Sequence, residues 1–374
     1  MDREEEMLWL VLQQLCHQRG AQLRKLLTVA PDPLAILQAP DSQWESSGVA
    51  QDIRVSLRRW RQKGIQAGLR REAVGQQALL RECCAQILVL GSASYPALLG
   101  EIHDPPPLLF LRGSLPVLQL PQLAIVGSRK TSAAGRRAAA EFASAATAAG
   151  LSVASGLALG IDGVAHRAAL AAEGPTVAVM ATGIDITYPH RHQQLAESIS
   201  QQGALMTEFP PGTGPRREQF PQRNRLISGL SMGVLVVEAA LPSGSLITAR
   251  TALEQGREVF ALPHSIYHPQ GRGCNELLAQ GAKLVQTAED IFEELGPLRA
   301  LCEETGPDAA QGEIPTPELT PALDRVFNAL GYEPLPLAVL AEQLALDIAA
   351  LMQQLTELEL RGMVERRGGC YMRC

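Results

Sequence analysis

The sequence predicts an α/β fold: a parallel sheet covered on both faces by helices, flanked by a small helical N-terminal domain and a C-terminal winged-helix-like module. Three observations lead there. From Gln122 to about Ile291, short apolar stretches alternate with Ala- and Leu-rich helical ones, a pattern of βα units. The stretch Glu304 to Pro321 then carries Gly306, Pro307, Gly312, Pro315, Pro317 and Pro321 and reads as a linker. Beyond it, three helical patterns precede a glycine hairpin. A chain of 374 residues with 46% hydrophobic content can bury a core in two or three domains.

Taken in order, residues 1 to about 75 read as helical. Leu8, Leu12 and Leu15 share one helical face, and Gly20, Pro31, Pro33 and Gly48 punctuate the rest. Ile87–Leu90 and Leu108–Leu111 read as short strands around the turn at Pro105 to Pro107. Strands are predicted at Leu123–Val126, Ser152–Ala154, Thr176–Met180, Leu205–Thr207, Val234–Val237 and Glu258–Ala261, with helices such as Gly135–Ala149 and Val164–Ala172 between them. In the C-terminal module, helices are predicted over Ala322–Leu330, Leu335–Leu344 and Asp347–Leu360. A hairpin of Met363–Arg366 and Cys370–Arg373 follows, turning at Gly368-Gly369. The expected domains are 1–80 (helical), 81–300 (Rossmann-like α/β), 301–317 (linker) and 318–374 (winged-helix-like).

Composition narrows the function. No apolar run reaches the ~18 residues a membrane helix needs. Met1 to Glu6 is acidic, unlike a signal or transit peptide. Seven scattered cysteines form no Cys-x-x-Cys pair, which argues against a disulfide framework or zinc site and for a reducing, cytoplasmic setting. No metal or other cofactor is expected. The net charge of −6 runs against nucleic-acid binding, which is normally written in Lys and Arg. The charge is uneven, however. Thr213 to Ile227 holds four bases (Arg216, Arg217, Arg223, Arg225) and one acid, Glu218, whereas Glu313 to Cys374 holds nine acids and five bases. Different partners are implied for the two regions.

Four motifs carry chemistry. Gly127-Ser128-Arg129, with Ser132 and Gly135 following, joins a strand to a helix. Glycine permits close approach of a phosphate, helix-start N–H groups favour an anion, and Arg129 adds a fork of donors. Against this stands an ordinary tight turn with a surface Arg. Ser155-Gly156 through Gly160, Asp162 and His166 repeats the strand–glycine–helix pattern. Asp162 is a candidate cap for the following helix, and His166 shares its face. A cap and a packed histidine outweigh a catalytic dyad, because no nucleophile lies nearby. Phe220-Pro-Gln-Arg223-Asn224-Arg225 sets bases around an aromatic, which suits single strands: rings stack on nucleobases and guanidiniums meet phosphates. Its bland alternative is a solvated basic loop. Last, Ser243-Gly244-Ser245, with Thr248, opens another helix after a strand. Such turns at the C-terminal ends of parallel strands converge on one crevice.

Together these motifs resemble the DNA-processing protein A family (DprA, also called Smf). The resemblance runs from about Ser92 to Ile291: Gly-Ser-Arg (127–129), Ser-Gly-x-Ala-x-Gly-Ile-Asp-x-x-Ala-His (155–166), Tyr-Pro (188–189) and Glu-Phe-Pro (208–210). It continues through Phe-Pro-x-Arg-Asn-Arg (220–225), Val-Val-Glu-Ala (236–239), Ser-Gly-Ser-Leu-Ile-Thr-Ala (243–249) and Gly-Arg-x-Val-Phe-Ala (256–261). It implies a Rossmann-like domain with a sterile-alpha-motif-like domain before it and a winged helix after it. It also implies a dimeric, non-catalytic protein that binds and protects incoming single-stranded DNA in natural transformation and helps load the RecA recombinase. In the family's basic pocket, Arg129, Arg217 and the stacking Phe220 take the matching positions. The chain departs from the pattern at Leu159, where a basic residue is common, at Ala181 and His264, usually Gly, and at His192, usually Asn.

Two other readings compete. A nucleotide hydrolase resembling the lysine-decarboxylase-like phosphoribohydrolases needs Pro-Gly-Gly-x-Gly-Thr-x-x-Glu. Here the region reads Pro242-Ser-Gly-Ser-Leu-Ile-Thr with no Glu at that spacing, and no Walker loop occurs. A duplex-reading transcription factor would use Asp347 to Leu360 as its recognition helix. That segment has no Lys or Arg and carries Asp347, Glu357 and Glu359, the wrong charge for a major groove.

Overall fold

The computed structural model describes residues 2–63, 67–296, 321–331, 335–344, 346–360, 363–367 and 370–373. The linker expected at 301–317 lies outside the described residues. The N-terminal part is helical: α1 (Arg3–Leu15), α2 (Gly20–Leu27), α3 (Pro33–Gln38), α4 (Asp41–Ser46), α5 (Gln51–Lys63) and α6 (Ala67–Glu82). Leu8, Leu12 and Leu15 are buried there, around the fully enclosed Trp9 and Trp44. Asp2 caps α1 and Asp32 caps α3 by accepting backbone N–H bonds.

The chain then builds the sheet: β1 (Ala85–Val89), α7 (Ala97–Gly100), β2 (Leu108–Gly113), β3 (Gln122–Val126), α8 (Ala133–Ala148), β4 (Ser152–Ser155), α9 (Ile161–Ala171) and β5 (Thr176–Val179). It continues with α10 (Gln193–Gln202), β6 (Ala204–Thr207), α11 (Gln219–Leu230), β7 (Gly233–Val236), α12 (Gly244–Glu254), β8 (Glu258–Ala261), α13 (Arg272–Ala279), β9 (Lys283–Leu284) and α14 (Ala288–Glu294). Among the described residues the strand order is β1-β2-β6-β5-β4-β3-β7-β8-β9. The strands from β3 to β9 are parallel, as the βα alternation implies, while β1 and β2 join as antiparallel additions at the β6 edge. The sequence pattern showed these two as strands but not as part of the same sheet.

Both sheet faces are covered. Phe142, Ala143 and Ala165 from α8 and α9 pack on Ile125, Val153 and Leu235 on one face. Leu226, Leu230 and Ala249 from α11 and α12 pack on Ala124 and Val234 on the other. The core of the N-terminal helices continues into Ile87, Phe110, Ala178 and Leu205, so the helices lie against the sheet rather than apart from it. Strand β3 sits between β4 and β7, so the chain winds outward from it in both directions. That switch point opens a crevice at the C-terminal strand ends.

The C-terminal module holds α15 (Pro321–Ala329), β10 (Leu335–Pro336), α16 (Leu337–Leu344), α17 (Ile348–Leu360), β11 (Val364–Arg367) and β12 (Cys370–Arg373). Strand order β10-β12-β11 makes the small antiparallel sheet of a winged helix. It has its own core of Leu323, Val326, Leu340, Leu351, Leu355 and Tyr371. Residues 335–336, expected as the start of a helix, instead pair as a strand with Tyr371 and Cys370. Pro336 disfavours helical backbone at Leu335 before it, which takes the extended conformation instead.

Candidate functional site

The crevice at the switch point has a volume of about 720 Å³. Its walls come from the turns after β3, β4 and β7 and from α11: Gly127, Ser128, Arg129, Asp162, Arg217, Phe220, Asn224, Ser243 to Ser245 and Thr248 all line it. Sequence-distant motifs thus meet in one place. What each residue does there differs from its expected role in several cases.

The first turn is closed by an internal carboxylate. Glu238, at the end of β7, is fully buried. Its Oε2 accepts the Ser132 N–H at 3.0 Å and its Oε1 accepts the Ser132 hydroxyl. Ser132 Oγ in turn accepts the Gly135 N–H at 2.9 Å, capping α8. A Cβ on Gly135 would lie 2.3 Å from Glu238 Cδ, so glycine is required for the carboxylate to fit. The N-terminus of α8, expected to receive a ligand phosphate, therefore already holds an anion, and Ser132 is committed to it. Gly127 also turns inward. Its missing Cβ would meet Ile161 Cγ1 at 2.7 Å, so packing by itself requires glycine here. The Ser128 N–H donates to Glu238 O at 2.7 Å, and Ser128 Oγ lies 3.0 Å from Gln270 Oε1.

The second turn is structural. Ser155 Oγ donates to Ile125 O at 2.6 Å. Asp162 does not cap α9, whose N-cap is Gly160. Its Oδ2 accepts from Gly156 N and Ala158 N at 3.1 and 3.3 Å, tying back the preceding loop. Burial pushes the Asp162 carboxyl up, opposed chiefly by the positive charge of Arg223 and then by those two N–H donors. His166 forms no dyad with it. His166 Nδ1 lies 2.7 Å from Thr176 Oγ1, which itself donates to Val153 O. Nδ1 therefore carries the proton and Nε2 is bare. Burial pushes His166 down to about 3, so it is neutral.

The basic cluster divides. Arg223, expected as a phosphate ligand, is buried, with Nη1 donating to Gly156 O and to Val179 O. Gly156 has no Cβ because the guanidinium occupies that space, 2.2 Å from where one would stand. Burial lowers Arg223 to about 10, leaving it charged at neutral pH. Arg225, also expected on phosphate, faces the other way. It binds Glu208 at 2.7 and 3.0 Å and Asp104 at 3.3 Å. Arg24 of α2 joins Asp104 and donates to Pro105 O at 2.9 Å. This network ties the N-terminal helices to the sheet. Both guanidiniums thus bond groups of the fold itself, Arg223 from the core side of the crevice lining and Arg225 toward Glu208 and Asp104, because helical geometry sends neighbouring side chains to different faces.

What remains exposed toward the crevice is Arg129, Lys130 and Arg217, which form no ion pair among the described residues. The Arg129 guanidinium lies 5.5 Å from the Phe220 ring centroid, and Tyr188 meets the same ring edge-on at 5.6 Å. Tyr188 is 47% exposed. Asn224 Nδ2 reaches Gly244 O at 3.4 Å, Ser243 caps α12, and Gly244 faces open space. Thr248 is buried beneath that helix start. Lys130 and Tyr188, which the sequence did not single out as candidates, also line the crevice; one adjoins Arg129 and the other belongs to the Tyr-Pro motif. The role of Glu238 was also missed; only its position at a strand end could have suggested it.

A doubly wound sheet with a cationic, aromatic-bearing crevice at its switch point and a helix N-terminus filled by a side chain of the same chain defines a Rossmann-like protein. Residues 86–296 match the family model of DNA recombination-mediator protein A, and residues 301–369 match the DprA winged helix domain. The chain belongs to this DNA-processing family. It is 45% identical to Protein Smf of Escherichia coli over 289 residues, 75% of each chain. It is 44% identical to DNA processing protein DprA of Bacillus subtilis over 219 residues, 58% of this chain and 74% of that one. The structure of DNA processing protein A from Streptococcus pneumoniae superposes with a TM-score of 0.65 at 34% identity, covering 76% of this chain and 95% of that one. The Helicobacter pylori protein, whose structure concerns its single-stranded DNA binding mode, superposes with a TM-score of 0.51 at 29% identity, covering 56% and 95%. Among the described residues no helix is long and apolar enough to cross a membrane.

Proposed function

We propose that this protein binds single-stranded DNA in the switch-point crevice, without catalysing a reaction on it. The observation that carries the reading is the set of three unpaired cations, Arg129, Lys130 and Arg217, around an accessible aromatic pair, Phe220 and Tyr188. Cations neutralise phosphates and rings stack on bases of any sequence. The Helicobacter pylori relative's single-strand binding mode supports the same ligand. The hydrolase alternative has nothing specific in its favour: its turn lacks the required Glu, and Glu238 fills the α8 terminus that a nucleotide phosphate would use.

By the family resemblance, the protein acts in the cytoplasm as a homodimer, protects DNA entering during transformation and helps RecA assemble on it. The acidic C-terminal module contacts protein rather than duplex. Fluorescence binding of single-stranded and duplex oligonucleotides across a salt series tests the core of this reading. Single strands should bind well, and binding should weaken as salt rises. Equal affinity for duplex, or binding indifferent to salt, would refute it. RecA assembly on single strands, followed by ATP hydrolysis with and without the protein, tests the loading role.

A further inference from the structure

Two tyrosines are the only aromatic residues among the large, exposed apolar side chains of the described residues: Tyr188 at 47% and Tyr267 at 83%. Burial normally hides such rings. Both lie in loops that follow parallel strands, Tyr188 after β5 and Tyr267 after β8. In the strand order β5-β4-β3-β7-β8 these are the two sides of the crevice. The Tyr188 ring meets Phe220 on the crevice wall. Tyr267 lies beside the 75%-exposed Ile266, in the loop whose Gln270 lines the crevice and meets Ser128 Oγ at 3.0 Å. That loop is anchored where it matters: His268 Nε2 lies 3.4 Å from Glu238, and Asn275 bonds both the backbone N–H and the carbonyl of His264.

We infer that Tyr188 and Tyr267 are the two end platforms of a single-strand track that crosses the C-terminal strand ends, with Phe220 and the cations between them. This rests on the proposed single-strand binding and adds its direction and length. Four inter-strand spacings of about 4.8 Å separate β5 from β8, about 19 Å in all. At the stacked rise of 3.4 Å about six nucleotides fill that span, and fewer fill it when the strand is stretched. Between the tyrosines, the β3 turn supplies Arg129 and Lys130, and the α12 start supplies Ser243 and Gly244. Bases thus meet rings at both ends, while phosphates meet charge in the middle.

The test is a titration of the full-length protein with labelled oligothymidylates from about 4 to about 20 nucleotides. Y188A should weaken binding at every length, by about 5- to 150-fold, the effect of losing one stacked base. Y267A should weaken binding by a similar factor only for strands long enough to span the crevice, and should match the wild type on the shortest. Y188F and Y267F should restore affinity. Unchanged thermal melting of all four variants would confirm that exposed rings were removed without unfolding. The inference is overturned if Y267A binds every length as the wild type does, which would make Ile266 and Tyr267 a protein-contact patch. It is also overturned if Y267A weakens all lengths equally. Failure of the wild type itself to bind any single strand would instead refute the proposed function, and the inference with it.

Discussion

Arg223 and Arg217 lie six residues apart and carry the same charge, yet their removal should have opposite effects. Arg223→Ala strips hydrogen bonds from the buried carbonyls of Gly156 and Val179 and removes the cation nearest the buried Asp162. An orphaned buried carbonyl costs about 1–3 kcal/mol, and an uncompensated buried charge about 3–5 kcal/mol. These terms overlap, because water from the adjacent crevice can reach part of the gap, so about 3–5 kcal/mol in total is expected. For an α/β domain of this size, each kcal/mol lowers Tm by about 2–4 °C, giving a fall of about 6–20 °C. Adding Asp162→Asn should recover part of it by removing the stranded charge. Arg217→Ala, by contrast, removes an exposed and unpaired cation, so stability should stay within about 0.5 kcal/mol. The slope of log affinity against log salt should flatten by about 0.7, the contribution of one phosphate contact on a single strand. Scanning calorimetry and salt-series anisotropy on both variants give the answer. If Arg223→Ala melts like the wild type and flattens the slope by about 0.7, Arg223 touches phosphate and its assignment to the scaffold is wrong.

Three further outcomes follow from the geometry. Phe220→Ala should cost about 1–3 kcal/mol of single-strand binding with circular dichroism unchanged, because the ring is only half-buried; wild-type affinity would remove it from the site. His166 is held neutral, its pKa lowered by burial to about 3 from an ordinary value near 6.5. The unfolded chain therefore binds a proton between these values that the native state refuses. Stability contributed by this group is complete above pH 6.5 and falls by about 1.4 kcal/mol for each unit below it. Urea midpoints at about pH 7 and pH 5 should diverge less in His166→Gln than in the wild type, and equal divergence would show that His166 does not titrate as described. Deleting residues 313–374 should leave single-strand affinity unchanged, since the net charge of −4 over that segment repels phosphate; loss of binding with the α/β domain still folded would show that the wing carries a contact.

The strands from Leu123 to Ala261 were legible because a sheet buried on both faces demands short apolar runs, and Ala-rich helices between them leave few other packings. The turns after β3, β4 and β7 were legible as a converging set for the same reason: parallel strands all deliver their C-terminal ends to one side. Side-chain direction in α11 and in the turn before it was not. Arg217, Arg223 and Arg225 look alike in a linear segment, but one faces solvent, one enters the core and one meets Asp104 and Glu208. Nothing local distinguishes them, since the partners of Arg225 lie 17 and 121 residues away. The edge pairing of β2 with β6 was hidden likewise, because its partner comes about ninety residues later in the chain.

Glu238 occupies the place that a glycine turn of this fold offers to a phosphate. A helix N-terminus attracts one anion, through a few N–H groups and a partial positive charge. In α8 that capacity is taken up by a carboxylate of the same chain, held by the Ser132 amide and hydroxyl and given room by Gly135. The turn is then rigid and largely satisfied, and its outward product is the position of Arg129 and Lys130 at the crevice mouth. A ligand must be recognised by those exposed cations and by ring faces. Such contacts repeat along a polymer: each phosphate meets a mobile cation and each base presents a π-face, with no single deep seat to define one nucleotide. With that helix start filled by a buried carboxylate, the exposed surface that remains is one suited to a strand. Binding there should be sequence-tolerant and salt-sensitive, and it should depend on Arg129, Lys130, Arg217 and Phe220 far more than on the glycines that first mark the motifs.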